Sequence, residues 1–208
     1  MSSKVIFDVG ANDGSSCLSF SYEPNTIVYA FEPSPFLVKE LRKHEKENYI
    51  VVPNAVSNYA GKIKFNLASE PQVNSGVGSI LPFSENLHVT WPGYHYFYTT
   101  DVIEVDCITM KSFIEENKIK NIDYLHCDTQ GSDLDVLESF GDYIELLQAG
   151  QIEAYGKNPA YKGARNSVSS CADFLRSNGF SITEVISCDH LGNEFNMRFS
   201  RVTPKGVN

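Results

Sequence analysis

The chain has 208 residues, of which 42% are hydrophobic and 21% charged, the make-up of one soluble globular domain with a sizeable core. Its formal charge of −9 at pH 7, with no basic cluster beyond Arg42-Lys43, argues against nucleic acid as a substrate, since a polyanion would meet net repulsion. The cysteines at 17, 107, 127, 171 and 188 are odd in number and form no CxxC pair, so neither a disulfide framework nor a zinc site is expected.

No apolar run approaches the ~20 residues that span a bilayer, so no membrane is expected as a partner. Residues 1–4 lead straight into the first strand, which leaves no room for a targeting peptide and predicts a cytoplasmic protein. That strand, residues 4–9, contains Val5, Ile6, Phe7 and Val9 and reads as buried on both faces, interrupted only by Asp8. Gly10 and Gly14 bracket a polar loop, and a short helix is expected over 15–21. Pro24-Asn25 turns the chain into a second strand, 27–31, which ends at Glu32. Pro33-Ser34-Pro35 starts a helix whose Phe36, Leu37 and Leu41 share a buried face, running to about residue 46. A third strand, 49–52, stops at Pro53. This alternation is the pattern of a parallel sheet with crossover helices.

From Gly61 the pattern changes. Residues 62–67 alternate strictly, so that strand should have one wet face. Residues 70–92 are turn-rich with no helix expected, and 94–98 and 99–108 read as extended, with Ile103, Val105 and Cys107 on one face. The α/β rhythm returns with a short helix through Met110, Phe113, Ile114 and Asn117, then a fourth strand, 122–127. A loop, Asp128-Thr129-Gln130-Gly131, precedes a helix whose stripe is Leu134, Leu137, Phe140, Ile144 and Leu147, weakened at Gly141. Residues 151–154 end a fifth strand, and 155–166 form a loop. Ser167 caps a helix that Asn178-Gly179 stops. Residues 180–187 and 194–202 form a β-hairpin. The expected fold is α/β and Rossmann-like, a single domain over 1–208. Its sheet is seven-stranded, mostly parallel and closed by the antiparallel hairpin, with an antiparallel insertion between strands three and four.

A strand feeding a helix through a glycine loop brings backbone N–H groups towards a ligand, and an acid ending the next strand can accept from both ribose hydroxyls. The loop is Gly10-x-x-x-Gly14 and lacks the middle glycine with which dinucleotide enzymes approach a pyrophosphate. S-adenosylmethionine has no phosphate, and Asp8 stands near where its ammonium would lie. Asp128 follows the fourth strand, with Gln130 just beyond it, and Glu153 ends the fifth, so the two carboxylates face one cleft. His126 titrates nearest neutrality but lies deeper in its strand, and the reading as a core histidine outweighs a catalytic one. Asp128 and Glu153 offer two hard oxygen ligands, but nothing fixes a third, and no metal is assigned. Phe83, Trp91, Tyr94, Tyr96, Phe97 and Tyr98 suit either a wall for a ring-bearing acceptor or the packing of a strand. Asn158, Tyr161, Lys162 and Arg165 either hold a polar acceptor or form a solvated loop.

Residues 8–14, Ala30-Phe31-Glu32-Pro33, Asn54-Ala55-Val56-Ser57 with Gly61, residues 122–131, Ile152-Glu153 and residues 174–180 occur in an order that resembles the FkbM-type S-adenosylmethionine-dependent methyltransferases. The resemblance runs from about residue 5 to 199. It implies a class I methyltransferase fold, S-adenosyl-L-methionine as cofactor, S-adenosyl-L-homocysteine as product, and a hydroxyl acceptor on a small metabolite, sugar or glycan. Carried onto matching positions, it places Asp8, Gly10, Ala11, Asn12, Gly14, Glu32, Pro33, Asn54, Ala55, Asp128 and Gln130 around the cofactor, while strand-end position and chemistry make Asp128, Glu153 and His126 the candidates for the reaction itself. Two positions depart from the family pattern: His126 replaces a lysine and Asp133 a glutamate. Two other readings stay open, a nicotinamide-dependent oxidoreductase and a non-catalytic adenosylmethionine-binding module. The sequence does not fix an oligomeric state.

Overall fold

The structure, a computed structural model, describes residues 3–68, 75–91 and 93–202. The chain runs β1 (Lys4–Val9), β2 (Thr26–Phe31), α1 (Pro35–Leu41), β3 (Tyr49–Val52), β4 (Ala55–Val56) and β5 (Gly61–Leu67). It continues through α2 (Leu87–Thr90), β6 (Asp101–Ile108), α3 (Met110–Asn117), β7 (Tyr124–Cys127) and α4 (Asp133–Glu138). Then come β8 (Ala149–Tyr155), α5 (Val168–Ser177), β9 (Phe180–Ser187) and β10 (Glu194–Arg201).

The main sheet has seven strands in the order β3-β2-β1-β7-β8-β10-β9. The first five are parallel, and β10 is antiparallel to both β8 and β9. The expected Rossmann-like sheet with its closing hairpin is therefore what the chain forms. The strand order reverses between β1 and β7, and open α/β sheets bind ligands in the crevice at the carboxyl ends of the strands beside such a reversal.

Aromatic packing fixes the ends of β1 and β2 relative to each other. The Phe7, Phe31 and Phe113 rings meet edge to face at centroid distances of 4.8 to 5.7 Å. Each such pair contributes about 0.5–1.5 kcal/mol beyond the area it buries. Because α3 supplies Phe113, the same cluster ties the two strand ends to the helix that leads into β7.

The middle third differs from the expectation in its detail. It forms a separate three-stranded sheet, β4-β6-β5, in which β5 is antiparallel to β6 but β4 is parallel to it. Phe65, Val105, Cys107 and Ala55 form its buried face, with Ile63, Leu67 and Ile103 packed against them. Lys62 and Asp106 pair at 2.8 Å on the wet face.

Residues 94–98 are not extended. Gly93 takes a left-handed φ of 73°, and a 3-10 turn follows over Tyr94–Tyr96. Of the segment 70–92, residues 70–74 and 92 lie outside the described residues; the rest holds a 3-10 turn at Ser75–Val77 and the single turn α2. The helix expected over 15–21 is instead a 3-10 turn, Leu18–Tyr22. Serines there bond locally in competition with the helix, as when the Ser21 hydroxyl donates to the Leu18 carbonyl at 2.7 Å. The helix after Pro35 passes into a 3-10 turn, Arg42–His44, where the chain bends towards β3. The apolar stripe after β7 is buried throughout, but Gly141 at φ 52° breaks it into α4 and a 3-10 helix, Gly141–Leu146.

Candidate active site

The glycine loop spends its first N–H groups on the neighbouring strand. Gly10 N and Ala11 N both donate to the Phe31 carbonyl at 3.0 Å. The next donors hold the acid: Asn12 N reaches Glu32 Oε2 at 2.9 Å, and Ser34 N reaches Oε1 at 2.8 Å. Glu32 is 4% exposed, and burial outweighs these two bonds, raising its pKa to about 7. Gly10 sits at φ 80°, and a Cβ there would come within 1.9 Å of the Asp128 carbonyl oxygen. The loop thus presses backbone to backbone against the end of β7. Gly10→Ala is expected to cost roughly 3 kcal/mol or more, combining left-handed strain with the clash. Urea unfolding measures it, and a loss below about 1 kcal/mol would contradict this packing.

One cavity opens at this junction. It is lined by Gly10, Asn12, Glu32, Pro33, Asn54, Ala55, Asp128 and Gln130, with Leu37, Phe65, Leu67 and Ile80 as its main apolar walls. Asn12 Oδ1 is buried at its edge with no partner. Asp8, Ala11 and Gly14, also expected around a cofactor, do not line it. Asp8 alternates with Val9 along β1 and so points to the opposite face of the sheet. There it is fully buried and meets His126 Nδ1 at 2.9 Å, the residue paired with it in register on β7. Burial favours the neutral His126 ring, but the hydrogen bond and charge of Asp8 outweigh it and raise the ring's pKa. Cys17 joins this pair, all three offering ligand-type atoms within 4.8 Å of one another beneath the loop.

Beyond β7, Asp128 and Glu153 stand on either side of one amide. Gln130 Nε2 donates to Asp128 Oδ1 at 2.6 Å and to Glu153 Oε2 at 3.3 Å. Its Oε1 lies 2.7 Å from the Tyr161 hydroxyl, which also lies 2.9 Å from the Val77 carbonyl. Gln130 itself holds a left-handed φ of 56°, a strained conformation that these contacts stabilise. Glu153 lines a second, smaller cavity rather than the first.

A family model described as the methyltransferase FkbM domain matches residues 8–182. The chain belongs to that family. No curated protein matches this FkbM-family chain. Solved structures resemble it at the level of the fold. The magnesium protoporphyrin IX methyltransferase ChlM from Synechocystis PCC 6803, with bound SAM, has a TM-score of 0.51 at 11% identity, covering 97% of this chain and 71% of that one. A fibrillarin/Nop5p complex gives 0.52 at 12% identity, covering 96% and 73%. M. capricolum TrmK in complex with S-adenosyl-homocysteine gives 0.51 at 13%, covering 99% and 66%.

Beside Glu153 stands Asp133, at the position that the methyltransferase family pattern gives to glutamate. Asp133, fully buried, accepts from Glu153 N at 3.1 Å and from Thr129 Oγ1 at 3.0 Å. Burial, then the charge of Asp128, raise its pKa to about 7. Burial first and then Asp128 hold Glu153 well above the carboxylate range, and burial raises Asp128 as well. Of the aromatic residues, Phe83, Trp91 and Phe97 pack with Tyr161, whereas Tyr94, Tyr96 and Tyr98 are exposed.

Glu32 and Asp133 retain protons in the folded state up to about pH 7, whereas the unfolded chain releases them near its ordinary carboxyl values. The folded state therefore binds more protons across that interval, and unfolding free energy is expected to fall as pH rises from about 4.5 to 7. Urea titrations at the two ends check this, and a rise would contradict it. No helix among the described residues is long and apolar enough to cross a membrane.

Proposed function

We propose that this methyltransferase binds S-adenosylmethionine in the cavity between the ends of β1 and β2 and methylates a hydroxyl oxygen of a small metabolite or sugar. The observation that carries the reading is Glu32. Its carboxylate is anchored through both oxygens by backbone donors, yet it lines the cavity with lone pairs to spare. Two adjacent ribose hydroxyls suit that group. Asn12 Oδ1, buried and unpartnered, offers a further acceptor, and Leu37, Phe65 and Ile80 offer apolar surface for an adenine ring. The residues present therefore fit the cofactor. Gly10 N and Ala11 N are tied to Phe31 and leave no cradle for a pyrophosphate, which favours this reading over a nicotinamide enzyme.

When bound, the cofactor supplies an electrophilic methyl on a sulfonium. Asp128 takes the acceptor's proton, and its raised pKa brings it closer to the working range of a general base. Gln130 fixes Asp128 Oδ1 and leaves Oδ2 for the acceptor. Gly10, Asn12, Glu32, Pro33, Asn54, Ala55 and Gln130 contact the cofactor in this proposal. Ala11 and Gly14 shape the loop, and the Asp8–His126 pair supports it from below. The net charge of −9 supports a small acceptor over a nucleic acid.

Incubation with methyl-labelled S-adenosylmethionine and a panel of polyols and sugars is expected to give a methyl ether. Label recovered on nitrogen or carbon would overturn the oxygen assignment.

A further inference from the structure

The second cavity lies across Gln130 and Gly131 from the first, and Glu153, Glu194, Asn166, Trp91, Tyr155 and Tyr161 are among its walls. The side-chain donors of Trp91, Asn166, Asn193 and Tyr161 are already engaged. Trp91 Nε1 donates to the Asn158 carbonyl at 3.0 Å, and Asn193 Nδ2 to the Thr90 carbonyl at 2.9 Å. Asn166 Nδ2 donates to the Glu153 carbonyl at 3.1 Å and reaches Asp133 at 3.4 Å. The Tyr161 hydroxyl faces Val77 and Gln130. Among the buried groups here, an acceptor remains open. Asn166 is 2% exposed, and its Oδ1 has no partner. Glu153 and Glu194 both line the cavity, so it presents two carboxyl groups beside that amide oxygen.

Of the cations in the adjoining loop, Lys157 is exposed, and the other two are paired with acids outside the cavity. Lys162 pairs with Glu85 at 2.6 Å and Arg165 with Glu138 at 2.6 Å, both on the exposed side. A metal ion fits poorly, because among the described residues the acidic groups here do not gather three ligand atoms at metal spacing. An aromatic-walled cavity with two carboxyl groups and a buried, unpartnered amide oxygen is matched by an organic ammonium group, which brings N–H donors and is drawn to ring faces.

We infer that this second cavity binds the ammonium group of an amine-bearing methyl acceptor, held by Glu194, Glu153 and Asn166 Oδ1 against Trp91 and Tyr161. The inference rests on the methyltransferase reading, since it treats the occupant as the acceptor. Gln130 donates to Asp128 at the first cavity and to Glu153 at the second, so the inferred acceptor would extend past this amide to bring a hydroxyl to Asp128.

Trp91 is the chain's single tryptophan, so its fluorescence reports this cavity. The protein is titrated in the presence of S-adenosylhomocysteine with ethanolamine, ethylene glycol and glycolate at equal ionic strength. Saturable change is expected with ethanolamine alone, and Glu194→Gln should weaken it roughly tenfold or more while S-adenosylhomocysteine affinity holds. A response to all three probes, to none of them, or an unchanged ethanolamine affinity in Glu194→Gln would overturn the ammonium site. Calorimetry with S-adenosylhomocysteine on the same sample separates the two readings: its failure to bind would remove the methyltransferase reading itself.

Discussion

Glu32→Ala is expected to weaken S-adenosylmethionine binding by roughly 1–3 kcal/mol, a five- to 150-fold rise in Kd. Two losses add. The ribose loses a hydrogen-bond acceptor, and Asn12 N and Ser34 N lose the carboxyl group that sets the loop against the entry to α1. Glu32→Gln separates them, because a glutamine oxygen still serves one backbone donor while its amide N–H opposes the other. Calorimetry is the measurement, with thermal unfolding of each variant as the check that the loop still closes. Affinity unchanged in both variants would place the ribose elsewhere.

Asp128→Asn is expected to lower turnover roughly 10²- to 10⁴-fold, the range that a positioned base contributes. Asparagine keeps an oxygen for Gln130 Nε2, so the loop geometry at 2.6 Å should survive and cofactor affinity should change little. The wild-type rate should climb with pH as the Asp128 carboxyl, raised by burial, gives up its proton. That limb should vanish in the variant. Full activity in Asp128→Asn, or an unaltered pH profile at reduced rate, would remove Asp128 as the base.

Much of the sheet was legible because strands and helices announce themselves through periodicity, and the closing hairpin alternates Phe195, Met197 and Phe199 with polar neighbours. The pairing of Gly10 with Glu32 was legible for the same reason, each standing at the end of an apolar run. What periodicity cannot report is which face a side chain takes in a strand buried on both sides. Asp8 therefore looked like a ligand residue, whereas one step along β1 separates it from the cavity that Val9 lines. Register then carries His126 to the same hidden face.

The loop N–H groups were misread for a related reason. A glycine loop offers donors, but whether a neighbouring carbonyl takes them depends on how closely β2 approaches, here through Phe31. Asp133, Asn166 and Glu194 come from three distant segments, and only tertiary packing assembles them around Glu153. Short helices were overestimated where serines or a glycine, as at Ser21 and Gly141, gave the backbone another option.

Diffraction from crystals grown with S-adenosylhomocysteine tests the central assignment most directly. Both ribose hydroxyl oxygens should lie about 2.5–3.0 Å from the Glu32 carboxylate. A ligand bound away from the β1 and β2 ends, or a Glu32 side chain turned from the sugar, would contradict the account.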